Sequence, residues 1–348
     1  MTFLIFGFGM TPPAFSQKAA PQTAPETWRL ALVGDLMLGT TYPQPDVPPD
    51  QGRRLMQAAL PVLRAADWRL GNFEGTFGTG GVSSKRGCAR CFAFRSPPAL
   101  VQALQDAGFQ AVSLANNHSH DFGPAGLLET ETVLTRAHIA FAGPLELPWA
   151  HWRTPDGRTM CLLAFAPNVG SHDLRNIPAA AADVRRARQA CTLVLVTFHG
   201  GAEGPQQTHT PMGVQRYLGE NRGDVRAFAH AMVDAGADLV FGQGPHVVRG
   251  MELRHGHLIA YSLGNFITYG GISVRGVEGW SVVLSVTLDA QGRLVAGQAH
   301  SFLQTPHGPL RIDPDAQVSR LMAQRTQEDF QGGGLVFGSQ GTFQPSTP

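Results

Sequence analysis

Charge is scarce in this chain of 348 residues: Lys, Arg, Asp and Glu together make up 15%, and the formal net charge is +1. No basic field spans such a surface, so nucleic acid is excluded as the expected partner. The amino-terminal apolar run Phe3-Leu4-Ile5-Phe6-Gly7-Phe8-Gly9-Met10 is too short to cross a bilayer, and no transmembrane span is expected. Its length is that of a secretory h-region, followed by small residues in Pro12-Pro13-Ala14-Phe15-Ser16-Gln17, although no positive charge precedes it. Export to the periplasm or the extracellular space through a weak or truncated signal peptide is the expectation. The competing reading is a cytoplasmic chain with a misplaced start. Residues 1–27 then form a signal-like segment and a flexible Ala/Pro/Gln/Thr linker.

Cysteine is also sparse, with four in the chain. Cys88 and Cys91 form one Cys-x-x-Cys pair without the second pair or the histidines that a structural zinc site needs, so a local disulfide in an exported protein is the reading. Cys161 and Cys191 lie in or beside apolar stretches and read as small buried residues.

What the chain does have is a large apolar fraction, 43%, enough for an extensive core. Strand patterns at 29–34, 68–72, 110–115, 139–142, 160–166, 193–198 and 238–241 alternate with helical spacing at 51–65, 100–107, 124–136, 179–189 and 225–235. Beyond these, 247–253, 257–263, 281–288 and 294–302 read as strands joined by turns, with Asp289-Ala290-Gln291-Gly292 as a hairpin connection. Two packed sheets flanked by helices are expected over 28–330, in the α/β class, and the Gly/Gln/Ser/Pro-rich tail 331–348 reads as disordered.

Five apolar runs end in a residue that binds metals or moves protons: Leu32-Val33-Gly34-Asp35, Leu70-Gly71-Asn72-Phe73-Glu74, Ser113-Leu114-Ala115-Asn116-Asn117-His118, Thr197-Phe198-His199 and Gly242-Gln243-Gly244-Pro245-His246. Loops at the carboxyl ends of strands gather in one crevice of an α/β protein, so these residues can share a site. Carboxylate, amide oxygen and imidazole suit divalent Mn, Fe or Zn, one or two ions. The alternative is that each caps a helix or closes a buried turn. Adjacent residues leaving a strand point apart, so the amide oxygen of Asn117 can coordinate while His118 faces a substrate and gives a proton to the departing oxygen. Asn116 shapes the turn, and Asp121 either caps the following helix or orients His118.

These segments, with Gly34-Asp35-Leu36-Met37-Leu38-Gly39, His199-Gly200-Gly201-Ala202-Glu203, Gly244-Pro245-His246-Val247 and Tyr261-Ser262-Leu263-Gly264-Asn265-Phe266, resemble the signature set of the CapA family of poly-γ-glutamate capsule biosynthesis, within the calcineurin-like metallophosphatases. The resemblance runs from about Trp28 to Phe302. It implies a four-layer αββα sandwich of the metallo-dependent phosphatase type. It also implies a hydrolase using a metal-bound hydroxide, with Asp35, Glu74, Asn117, His199 and His246 as ligands and Glu74 bridging two ions.

Gln243 stands where many such chains carry a histidine, which weakens one ligand position. Glu203 is expected to orient His199 from behind, and Glu252 matches a family position without an evident role. Lys85, Arg86, Arg90 and Arg95, and His209 at the rim, are candidates to contact an anionic phosphoester or poly-γ-glutamate. Capsule biosynthesis proteins are the macromolecular partners this implies. A non-catalytic assembly or export component, or an amide hydrolase on γ-glutamyl polymer, are the competing functions.

Overall fold

The computed structural model describes residues 27–86, 91–147, 149–154 and 157–346. The signal-like run, most of the linker, Cys88 and Arg90 lie outside the described residues.

Two sheets face each other. The first runs, edge to edge, through Leu335–Phe337, Thr342–Pro345, Leu294–Leu303, Trp280–Asp289, Thr27–Met37, Trp68–Phe73, Ala111–Ser113 and Ala140–Ala142. The last four are mutually parallel. The second runs through Met251–Arg254, His257–Ala260, Leu239–Gln243, Leu193–His199, Thr159–Phe165 and Trp149–Arg153, with its four central strands parallel.

Strand periodicity explains the layering. Along Thr27–Met37, Leu30 and Leu32 point into the core between the sheets, where Leu162, Leu195 and Phe241 meet them from the second sheet. Ala31 and Val33 point outward, under helices α1 (Leu60–Ala65), α2 (Val101–Ala107) and α3 (Gly123–Arg136), which contribute Leu63, Leu104 and Leu134. Val194 and Val196 likewise face outward from the second sheet, against Val184 of α4 (Ile177–Ala190) and Phe228 and Met232 of α5 (Val225–Asp234). The result is the four-layer αββα sandwich. Each fully buried aliphatic side chain of this kind stabilises by about 1.5–3 kcal/mol relative to exposure.

Four expectations are corrected. The 51–65 stretch is largely turns and short 3-10 turns, with α-helix only at Leu60–Ala65, because Pro61 can start a helix but cannot sit inside one. Within 247–253 only Met251 onward is strand; Val248 makes an isolated bridge to Leu263. The tail is ordered through Ser346: Leu335–Phe337 and Thr342–Pro345 pair with each other, and the second of these joins Leu294–Leu303. It follows a helix absent from the sequence reading, α6 (Gln317–Phe330), whose Val318, Leu321 and Met322 enter the inter-sheet core. Finally, Cys161 and Cys191 are buried as expected but are disulfide-bonded, tying a strand of the second sheet to the end of α4. The 30-residue separation hid the pairing in the sequence. Among the described residues no helix is long and apolar enough to cross a membrane.

Candidate metal centre

Asp35 sits at register shifts in its strand, where its N–H donates to the Gly264 carbonyl rather than continuing the regular ladder. A side chain at Gly34 would collide with that same carbonyl, so only glycine lets the Tyr261-Ser262-Leu263-Gly264 turn lie against the strand. Glu74 follows Trp68–Phe73, and its N–H donates to Leu36 O at 3.0 Å. His199 ends its strand beside Gln243, and the turn Gly244-Pro245 then delivers His246 in a left-handed conformation at φ +60°. Such a backbone in a histidine is uncommon and is held by its surroundings.

The side chains meet. Nε2 of His118, of His199 and of His246 each lie 3.9 Å from Glu74 Oε1, and His246 Nδ1 is 3.3 Å from Asp35 Oδ2. His199 Nδ1 is 3.8 Å from Asp35 Oδ1. Asp35, Glu74 and His246 offer ligand atoms all within 4.8 Å of one another. Asn117 and His118 line the same cavity of about 460 Å³ as His246 and Glu203. Asp35 Oδ2, both Glu74 carboxylate oxygens, Asn117 Oδ1 and His199 Nε2 are buried with no hydrogen-bond partner. Buried acceptors are ordinarily paired, and this many orphaned together call for a cation. Two donors each about 2.1 Å from one ion stand no more than about 4.2 Å apart, and the His246–Asp35, His199–Glu74 and His246–Glu74 separations of 3.3, 3.9 and 3.9 Å lie within that limit.

The surrounding residues have distinct tasks. Asn72 donates to Asp35 Oδ1 at 2.8 Å, and Asn116 donates to Asn72 Oδ1 and Phe73 O while accepting the His118 N–H, so Asn116 shapes the turn. Asp121 takes the orienting role rather than the capping one: its Oδ2 is 2.8 Å from His118 Nδ1 and accepts Phe94 N–H at 2.7 Å, whereas α3 has no side-chain cap. Lys85 Nζ is 2.7 Å from Asp121 Oδ1 and donates to Asn117 O at 3.1 Å. The chain's other lysine, Lys18, lies outside the described residues.

Several expected contacts differ. Glu203 does not reach His199; it faces His246 Nε2 at 3.9 Å and is anchored by the buried Arg222 at 2.5 Å. Gln243 is fully buried and accepts from Thr197 Oγ1 at 3.1 Å, supporting the strands rather than the cavity wall. Arg86 is exposed and outside the cavity lining. Arg95 packs over Phe122 and bonds Thr41, and His209 bonds Asp329, so neither forms the rim. Glu252 accepts from Tyr261 Oη at 2.5 Å and lies 2.6 Å from His230 Nε2, in a network away from the cavity.

Asn265 lies in the Tyr261–Phe266 segment, which the sequence reading expects to support the metal loops by packing and hydrogen bonding without assigning Asn265 a role of its own. It is fully buried, and its Nδ2 donates to Glu278 O at 3.1 Å and Ser273 O at 3.4 Å. That turns Oδ1 toward His246 Nδ1 at 2.8 Å, which places the imidazole proton there and leaves Nε2 free to coordinate. Replacing Asn265 with alanine is expected to weaken manganese binding about 10–100-fold, as loss of such an orienting partner does. Titration calorimetry would show it, and unchanged affinity would contradict the assignment.

Electrostatics point the same way. Burial and the Asp35 charge push the Glu74 carboxyl well above the usual range. Burial opposes charge on His246, but Glu74, Asp35 and Glu203 prevail and raise it to about 10. Burial holds His118 below its ordinary value against Asp121, and burial together with Arg222 holds His199 well below. In the metal-free protein His246 therefore keeps a proton that a cation at its Nε2 must displace. Metal affinity should rise as pH climbs toward the His246 value of about 10, with proton release measurable by calorimetry in buffers of differing ionisation enthalpy. A flat profile would count against the centre.

Residues 29–269 match the model of the family described as bacterial capsule synthesis protein PGA_cap. The chain belongs to that family. This member is 28% identical over 255 residues to the PGA biosynthesis protein CapA of Bacillus subtilis, covering 68% of this chain and 62% of that one. It is 25% identical over 260 residues to the capsule biosynthesis protein CapA of Bacillus anthracis, covering 70% and 60%. The chain thus spans about three-fifths of the length of these relatives. The crystal structure of a 5'-nucleotidase precursor from Thermus thermophilus is similar at 16% identity and a TM-score of 0.44, covering 87% of this chain and 59% of that one.

Proposed function

We propose that this capsule-synthesis family member is a metal-dependent hydrolase of the phosphoesterase type, acting in capsule or cell-envelope polymer metabolism. The observation that carries the reading is the convergence of orphaned, buried donors on Glu74 beside a histidine aligned by a carboxylate. Asp35, Glu74, Asn117, His199 and His246 would hold one or two divalent ions, Mn, Fe or Zn by donor type. When bound, such ions lower the pKa of water and neutralise charge building on phosphoryl oxygens.

The chain's own residues do the rest. Asp121 holds the His118 Nδ1 proton, which leaves Nε2 as the atom that passes a proton to the departing oxygen as its bond to phosphorus breaks. The low proton affinity that burial imposes on His118 makes its protonated form a strong acid, and the negative charge of an incoming ester favours that form. Lys85 fixes Asp121, while Arg222 keeps Glu203 turned toward His246. The names of the Bacillus relatives support a capsule polymer setting, and the Cys161–Cys191 disulfide supports export to an oxidising compartment.

Metal analysis of the purified protein, with phosphomonoester and γ-glutamyl amide assays of wild type and Asp35→Ala, tests the reading. Bound transition metal and phosphoester turnover, both lost in the variant, are expected. A metal-free protein with neither activity would favour the non-catalytic capsule assembly role, and amide turnover alone would favour a γ-glutamyl hydrolase.

A further inference from the structure

The mouth of the cavity carries two large apolar side chains exposed to solvent, Phe92 at 60% and Leu218 at 72%. They come from unrelated segments. Phe92 belongs to the insertion after Glu74. Its ring stacks on Phe94 at 6.3 Å, and Phe94, nearly fully buried, lies 4.4 Å from the His118 ring. An aromatic ladder thus leads from solvent to the proposed proton donor.

Leu218 stands at the turn of a small hairpin in which Arg216–Tyr217 pairs with Glu220–Asn221. It adopts φ +47°, a left-handed backbone that a bulky side chain rarely takes and that persists where the surroundings impose it. The same hairpin is tied inward, since Glu220 accepts from Arg222, which holds Glu203 against His246. One apolar arm is therefore anchored through His118 and the other through His246, and both line the one cavity that these histidines share beside Glu74.

We propose that these arms form a subsite for the leaving group, and that the preferred substrates are phosphoesters whose departing alcohol is apolar or aromatic. The inference rests on the hydrolase reading for its placement of the reacting phosphorus at the metal cluster. His118 is the group assigned to protonate the departing oxygen, so what leaves must lie on its side of the cluster. That side is the Phe94–Phe92 ladder, with Tyr217 and Leu218 also lining the cavity. A wholly polar leaving group would leave these rings and the leucine in contact with water and gain nothing from them.

The test separates binding from turnover. Phenylphosphonate and methylphosphonate, which share the anionic head and resist hydrolysis, are titrated calorimetrically into the manganese-loaded full chain. Wild type is expected to bind the phenyl compound about tenfold more tightly or better, the gain that burying a ring of this size supplies. The double variant Phe92→Ser, Leu218→Ser should lose that preference while its methylphosphonate affinity stays unchanged. Equal affinities in wild type, an undiminished preference in the variant, or binding of neither compound would each overturn the proposal. Phenyl phosphate turnover is read separately: a phenyl preference without turnover sinks the hydrolase reading and leaves the apolar subsite standing.

Discussion

Glu74→Gln is expected to abolish metal binding while leaving the metal-free protein at least as stable as wild type at neutral pH. Glu74 is fully buried and lies 3.9 Å from three histidine Nε2 atoms, yet neither of its oxygens has a hydrogen-bond partner. Its carboxyl is pushed well above the usual range, first by burial and then by Asp35.

The sign follows from that direction. A carboxyl whose folded pKa lies above its unfolded one favours folding only while it is protonated, so the stability it confers is lost as pH rises through the unfolded value toward the folded one. Glutamine keeps the shape of the protonated form and cannot ionise, so the apo variant should melt no lower than apo wild type at pH 7, and higher as pH increases. Metal reverses the ranking. At a free concentration of about 100 times Kd, a bound ion stabilises wild type by about 2.7 kcal/mol, which the variant should not gain. Thermal melts with and without chelator, alongside elemental analysis, give both readings. A variant that still melts higher on adding manganese would remove Glu74 from the centre.

His118→Ala should leave metal content intact and lower kcat by about 10²–10⁴-fold on esters with poor leaving groups, the usual contribution of a positioned acid. The loss should shrink on p-nitrophenyl phosphate, whose departing oxygen needs no proton. This contrast separates a proton donor from a sixth ligand, which matters because distance to Glu74 alone does not distinguish His118 from His199 or His246. What distinguishes it is the far side of its ring, where Asp121 and Lys85 stand. Equal losses on both ester classes, or loss of metal, would reassign it.

The apolar strand runs and their period were readable in the chain because a strand buried on both faces needs an unbroken hydrophobic run, as in Leu193–His199. Glycine and proline at the strand exits were readable too, since turns as tight as Gly244-Pro245 tolerate little else. Helix α6 was missed because much of it is polar, and its short apolar stripe gains meaning only from the two sheets it packs against. The tail strands were hidden in the same way: a composition rich in Gly and Gln reads as loose, and pairing with Leu294–Leu303 supplies what the local sequence lacks. Among the site residues, the Tyr261–Phe266 segment read as support for the metal loops, but the partner of Asn265 was not readable, because a hydrogen bond to a histidine 19 positions earlier has no period.

The sequence by itself determined which chemistry is available, through carboxylates, amides and imidazoles at the ends of hydrophobic strands, since residue type sets what an atom can donate or accept. Only the tertiary structure decided who faces whom: that Glu203 answers to Arg222 and His246 rather than His199, that Asp121 aligns His118, and that Cys161 meets Cys191. The reason is that such pairings arise where two sheets pack face to face, and that contact joins residues that no local pattern along the chain relates.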